Sequence, residues 1–180
     1  MMAIVRTTTK RYCPANQSKE HADLVRLARV WACSRATARG SRHAEEVWLD
    51  PGYVADLVSL QRFSNADQIA FTGVAKMCLD LAIVFEAKAS RADFLSTFGP
   101  SPKHKNRLTP IGHLHFVVAA KGICDANEIP DPWGFLVPYG MGLSVRKKPV
   151  FTPDAGDKHI YEIAWTLLWK NEQGYYRRRW

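Results

Sequence analysis

The chain has 180 residues and carries 25 Lys+Arg against 17 Asp+Glu, a net charge of +8. This length suits one domain with its own core, and a composition 47% hydrophobic and 23% charged excludes wholesale disorder. No run approaches the roughly 18 apolar residues of a membrane span, and the opening MMAIVRTTTKRY is too polar for a secretory leader. Cys13, Cys33, Cys78 and Cys124 are scattered without a CxxC pair, which argues against a zinc ribbon or a thioredoxin-like site. Reduced thiols in a cytoplasm are the expectation.

The charge is uneven. Residues 1–50 hold 9 basic and 5 acidic side chains, 51–100 hold 4 and 5, and 101–180 hold 12 and 7. Two basic flanks therefore frame a slightly acidic middle. A basic surface attracts polyanions, nucleic acid above all, and a carboxylate-bearing centre inside such a frame suits metal-dependent phosphodiester chemistry. A basic surface that serves solubility alone is the plainer alternative.

Residues 1–18 show no periodicity and read as an N-terminal arm. Ser18 is a candidate N-cap for a helix over 19–35, with Glu20 and Asp23 in its first turn and Leu24, Leu27, Ala28 and Trp31 on one stripe. ATARGSRH (36–43) reads as a loop, Glu46–Leu49 as a short strand, and Asp50-Pro51-Gly52 as a turn. A strand over Tyr53–Leu60, a polar connection, and a short strand at Ile69–Thr72 follow. Leu81–Ala87 is an apolar run of strand length that leads into Glu86-Ala87-Lys88.

Ser90-Arg91-Ala92-Asp93 opens a second helix in the form S-x-x-D, with Ser90 and Asp93 as its cap. A basic stretch with Lys103, Lys105 and Arg107 precedes a strand at His113–Ala119, with further extended segments at Trp133–Val137 and Leu143–Arg146. A helix over about 158–170 and a basic-aromatic tail over 171–180 close the chain. Residues 19–170 form the single domain, a mixed sheet flanked by helices.

The carboxylates carry the chemistry. Alternation puts Glu86 and Lys88 on one face of their strand, where a carboxylate and an ammonium could hold a metal ion and orient a water. A solvated strand face is the plain alternative. Asp80 shares the parity of Glu86 but lies six residues away, about 20 Å along a straight strand, too far for one ion. Asp56, charged among the apolar residues of its strand, is the better partner: beside 81–88 it would stand about 5 Å from Glu86 across the ladder. Glu46 or Glu20 could add a third carboxylate, and Glu46 is favoured because it adjoins the strand pair. His113 and His115 share a strand face, but no third ligand is spaced to complete a metal site, so a partly exposed face is expected. No phosphate loop of the form GxxxxGK[ST] is present.

Asp56 followed some thirty positions later by Glu86-Ala87-Lys88 resembles the core of the PD-(D/E)XK nuclease superfamily. More narrowly, Ala55-Asp56-Leu57-Val58 and Glu86-Ala87-Lys88-Ala89-Ser90-Arg91-Ala92-Asp93-Phe94 resemble the MmcB-like DNA-repair proteins and their phage relatives. Glu20–Leu24 with Trp31, Lys121-Gly122-Ile123, Glu128-Ile129-Pro130 and Trp133–Leu136 extend the likeness over about residues 19–140. Ala55 stands where many relatives have Pro, and His113 and His115 stand where aromatic or basic residues are expected.

The resemblance implies an α/β restriction-endonuclease-like core and Mg²⁺-dependent (or Mn²⁺-dependent) hydrolysis of DNA in repair or phage DNA processing, in a bacterial or phage-infected cytoplasm. Asp56 and Glu86 would be the metal ligands, with Glu46 a further candidate, and Lys88 would position the attacking water. Arg91, Lys103, Lys105 and Arg107 would contact DNA. RNA as substrate and a protein partner or second copy stay open. The rival reading is a non-cleaving nucleic-acid-binding or inhibitory module on the same fold.

Overall fold

The computed structural model describes residues 18–50, 53–74, 80–99 and 109–177. In chain order these form α1 (Lys19–Arg35), β1 (Ala36–Asp50), β2 (Tyr53–Phe63), α2 (Asn65–Thr72), β3 (Leu81–Lys88), α3 (Arg91–Phe98), β4 (Leu114–Ala119), a single 3₁₀ turn at Ala126–Glu128, β5 (Gly134–Tyr139), β6 (Gly142–Lys147) and α4 (Pro153–Arg177). The six strands make one sheet in the order β1-β2-β3-β4-β5-β6. β1, β2 and β3 are antiparallel neighbours, β3, β4 and β5 run parallel, and β6 returns antiparallel to β5. The expected α/β architecture, a mixed sheet flanked by helices, is what the chain adopts.

β3 and β4 are buried along their whole lengths, as strands covered on both faces must be, and this explains their near-continuous apolar sequence. One core layer lies between the sheet and α1 with α2. It holds Leu57, Ile83, Phe85, Phe116 and Val118 against Leu24, Ala28, Trp31 and Phe71. Trp31 meets Phe71, Phe85 and Phe116 edge-on, with centroids 5.2–6.1 Å apart. The opposite layer holds Val58, Ala82, Val84, Val117, Phe135 and Val137 against Phe94 of α3 and Ile163 and Leu167 of α4.

The local chemistry accounts for the helix ends. Ser18 caps α1 by accepting from the His21 N–H at 3.2 Å, as its position suggests. Pro153 opens α4, where its missing N–H costs nothing. Inside α4, Gly156 lies flat on the His113 ring, where a Cβ would come within 2.2 Å of it.

Three expectations are overturned. Residues 36–43 are not a loop: β1 begins at Ala36 and, after a register shift before Ser41, pairs along β2 as an edge strand, where polar side chains are tolerated. Ile69–Thr72 is not a strand but the end of α2, which Ser64 caps at its start and Gly73, at φ 73°, closes at its end. There Gln68 and Phe71, three apart, are buried while Ile69 is exposed, a helical spacing rather than an alternation. The last helix begins at Pro153 rather than about 158, and it continues to Arg177, past the point where the tail was expected. Among the described residues, no helix is long and apolar enough to cross a membrane.

Candidate active site

The β2–β3 ladder runs from Gln61↔Leu81 to Leu57↔Phe85. One step beyond its end stand Asp56 and Glu86. Here Asp56 Oδ2 accepts a 2.7 Å hydrogen bond from the backbone N–H of Ala87, so a side chain takes over where the ladder stops. The β1–β2 register runs unbroken past the same level. Glu45↔Leu57 and Val47↔Ala55 bracket Glu46 and Asp56, which face each other across the pair. Ala44 and Val47 share one core layer, as do Ala55 and Val58. Strict alternation does not give that three-residue spacing, and Glu46, at φ 51°, sits where the alternation breaks.

Glu86 and Lys88 continue the parity of Ala82 and Val84 and end β3 on the side of α3 and α4. They are only 2% and 3% exposed, so the solvated strand face is excluded. Lys88 Nζ donates to Glu86 Oε2 at 3.1 Å and lies 3.7 Å from Asp93 Oδ1. Asp93 comes from α3, whose start is fixed by Ser90 Oγ accepting from the Asp93 N–H at 3.1 Å. The cap thus holds a carboxylate against the lysine. On the other side, His21 of α1 brings its Nε2 to 3.5 Å from Asp56 Oδ1.

The electrostatics follow from this crowding. Burial pushes the Lys88 pKa down, but the carboxylates of Glu86, Asp56 and Asp93 outweigh it and hold the value above its usual one. Lys88 is therefore an ammonium, able to orient and neutralise but not to take a proton. The neighbouring Asp56 carboxylate raises the pKa of His21 against the opposing effect of burial, with the charge of Asp93 adding to the rise and that of Lys88 opposing it.

Asp56, Glu86 and Lys88 are brought together, with Asp93 and His21 beside them. His21 was missed as a site residue by sequence reasoning. Its sequence signals were its place three residues after the Ser18 cap, one turn before the Leu24 stripe, and its position inside the Glu20–Leu24 segment of the likeness. Glu46 adjoins Asp56 in the strand register. Glu20 is exposed in the first turn of α1 and is held by its own backbone and Ser18, which lower its pKa. Asp80 is exposed and pairs with Arg62 at 3.4 Å, far from Glu86 along β3.

Arg91 gives its guanidinium to both carboxylate oxygens of Glu128 and to the Ile123 carbonyl, rather than leaving it turned outward for a phosphate. Lys103, Lys105 and Arg107 lie outside the described residues. His113 and His115 do not form a partly exposed face. Both are buried: His113 Nδ1 accepts from the Ala82 N–H while its Nε2 meets Asp157 at 3.1 Å, and His115 Nε2 accepts from the Ile111 and Gly112 N–H groups. These bonds bind the chain before β4 to β3 and α4.

Among the described residues, no group of three or more His, Cys, Asp or Glu side chains stands ready to hold a metal ion. The oxygen donors of Asp56 and Glu86 nevertheless suit a hard cation. Mg²⁺ is commonly held by one or two carboxylates, with water and substrate phosphate completing its shell, and a two-carboxylate site meets that need.

No family model matches the chain, and no curated protein matches it. Among solved structures, a protein of unknown function from Silicibacter pomeroyi (SPO1766) is similar over 77% of this chain and 81% of its own, at 20% identity and a TM-score of 0.47.

Proposed function

We propose that the protein is a metal-dependent deoxyribonuclease of the PD-(D/E)XK type, acting in DNA repair or phage DNA processing in the cytoplasm. The observation that carries this reading is the buried Glu86–Lys88 pair at the end of a central strand, with the Asp56 carboxylate bonded to the N–H between them. A buried carboxylate–lysine pair is costly to keep for stability alone, since apolar residues of similar volume serve as well or better. Its retention at a strand end beside a second carboxylate is a sign of chemistry.

In this reading Asp56 and Glu86 would hold Mg²⁺ or Mn²⁺, which when bound would polarise the phosphoryl oxygen and ease the loss of a proton from the attacking water. Lys88 places its ammonium against the water and the phosphoryl oxygen, offsetting the charge that gathers there. Asp93 holds Lys88 from the α3 side, and His21 steadies the outer oxygen of Asp56. The water gives up a proton to solvent as its oxygen bonds to phosphorus and the phosphorus–oxygen bond to the neighbouring sugar breaks, and the leaving oxygen takes up a proton from solvent.

The test is incubation of wild type, Asp56→Asn, Glu86→Gln and Lys88→Met with labelled duplex, single-stranded, nicked and branched DNA, with Mg²⁺, Mn²⁺ or EDTA. Metal-dependent cutting that is lost in all three folded variants supports the reading. A protein that binds DNA in a salt-sensitive way and cuts none of it is the non-cleaving module instead. That second reading draws on one observation: Lys88 and the Ala87 N–H already occupy an oxygen each of Glu86 and Asp56. RNA substrates and an added partner protein belong in the same assay.

A further inference from the structure

The β5–β6 hairpin ends in Tyr139-Gly140-Met141-Gly142, and its tip is among the most exposed apolar surface described, with Tyr139 74% and Met141 94% exposed. Tyr139 pairs with Gly142, so Gly140 and Met141 make a two-residue turn, and Gly140 has φ 56°. A turn with positive φ at its first central residue needs glycine there. It does not need methionine at the second position or tyrosine before the first, so both large side chains meet some other demand.

Their position in the sheet supplies one. β3, β4 and β5 run parallel, so their C-terminal ends share one edge of the sheet. Lys88 pairs with Ala119 and Val118 with Leu136, which sets Lys88 level with Val137. Tyr139 is two residues further out. It shares the parity of Phe135 and Val137, which lie in the α3–α4 layer, on the face that carries Glu86 and Lys88. Two strand spacings sideways and two residue rises outward place the Tyr139 Cα roughly 12 Å from that of Lys88. A stacked DNA strand advances about 3.4 Å per nucleotide and an unstacked one more, so the distance corresponds to a few nucleotides at most. Lys121, in the turn after β4, is exposed on the same edge, whereas Arg146 and Lys148 are exposed at the far end of β6 from the tip. Lys147 is engaged by Asp131 and the Ile129 carbonyl.

We infer that the Tyr139–Met141 hairpin tip contacts DNA bases within a few nucleotides of the bond that is cut, Tyr139 stacking on a base and Met141 wedging beside it. This rests on the nuclease reading and adds a substrate class to it. An aromatic ring stacks only on a base whose face is open, and a closed duplex covers those faces. The preferred DNA is therefore unpaired or frayed next to the cut. Apolar wedges and aromatic platforms are the usual means of gripping such bases, while the exposed Lys121 on the same edge attracts the backbone.

The experiment compares wild type, Tyr139→Ala, Tyr139→Phe and Met141→Ala for binding, in EDTA, to a fully paired duplex and to the same duplex with an unpaired stretch. Cutting is read separately in Mg²⁺, with Asp56→Asn as control. Wild type should favour the unpaired DNA. Tyr139→Ala should lose roughly tenfold on that DNA and little on the closed duplex, and Tyr139→Phe should keep the preference. Variants that bind both DNAs as wild type does overturn the inference, whether or not wild type cuts. Loss of self-association in the variants without a change in DNA binding also overturns it, and assigns the tip to a second copy. If wild type cuts nothing but the tip variants lose the preference, the nuclease reading fails while the tip stands as a base contact.

Discussion

Asp56 reaches across the end of the β2–β3 ladder to accept the backbone N–H of Ala87 at 2.7 Å. The residue proposed as a metal ligand therefore also ends a sheet, and the two roles respond differently to substitution. Asn keeps a carbonyl oxygen for the Ala87 N–H and removes the negative charge. Ala removes both and leaves a buried donor unmet, at a cost of about 1–3 kcal/mol. Asp56→Asn should fold with nearly wild-type stability and lose metal-dependent cutting, whereas Asp56→Ala should lose both. Urea unfolding read beside cleavage separates the two, and equal stability losses in Asn and Ala would refute the capping role.

The Glu86–Lys88 pair makes a second prediction. Removing one member of a buried ion pair leaves an uncompensated charge and costs about 3–5 kcal/mol. Asp93 and Asp56 still face Lys88 when Glu86 is removed, so Glu86→Leu should fall at the lower end of that range. Lys88→Met leaves Glu86 buried among carboxylates and should cost more. The double variant Glu86→Leu/Lys88→Met should be more stable than the sum of the two losses. A double-mutant cycle in urea measures that coupling, and strict additivity would mean that the two charges do not support each other.

Much of this site was legible before any coordinates. β3 announced itself as an apolar run, and the period of two placed Glu86 and Lys88 on one face. Asp56 stood out as a charge among apolar neighbours, and Ser90 as a cap. The elements misread were those whose shape depends on distant partners. β1 is polar because, among the described residues, it is an edge strand of the sheet, so it carries little alternation, and what it has is interrupted at Glu46. α2 rests on two capping residues and a three-residue spacing too short to stand out. His21 joins the site through the packing of α1 across the sheet, and no local pattern encodes that. His113 and His115 looked like an exposed face because the backbone donors they serve, at Ala82, Ile111 and Gly112, meet them only once the chain before β4 is folded against β3.

Arg91 separates a phosphate contact from a structural clasp. Its guanidinium is engaged by Glu128 and the Ile123 carbonyl, tying α3 to the turn after β4. Arg91→Ala should therefore leave the slope of log affinity against log salt for DNA unchanged. Neutralising Lys103, Lys105 and Arg107, if all three meet phosphates, should lower that slope by roughly 2–3. A drop of about 1 in the slope for Arg91→Ala would show that the arginine leaves Glu128 for the DNA backbone.

The buried His115 ring makes stability depend on pH in a definite direction. Its Nε2 accepts the N–H groups of Ile111 and Gly112, each at 3.1 Å, so the folded protein needs this nitrogen unprotonated. Burial, with a smaller push from His113, lowers its pKa from 6.5 to about 3. The folded form therefore resists a proton that the unfolded chain accepts below about pH 6.5. The stabilisation is full above that value and is lost as pH falls toward the folded pKa, at roughly 1.4 kcal/mol per pH unit. His43, lowered to about 4 by burial and by Arg29, acts in the same direction and steepens the whole-protein slope. Its contribution cancels when wild type is compared with His115→Gln. That variant should be less stable near neutral pH, because glutamine reproduces the two backbone bonds poorly, and its stability should fall less steeply as the solution is acidified. Urea unfolding at several pH values between about 7 and 4.5 measures both slopes. Parallel slopes would mean that His115 takes up its proton in the folded state as readily as in the unfolded one.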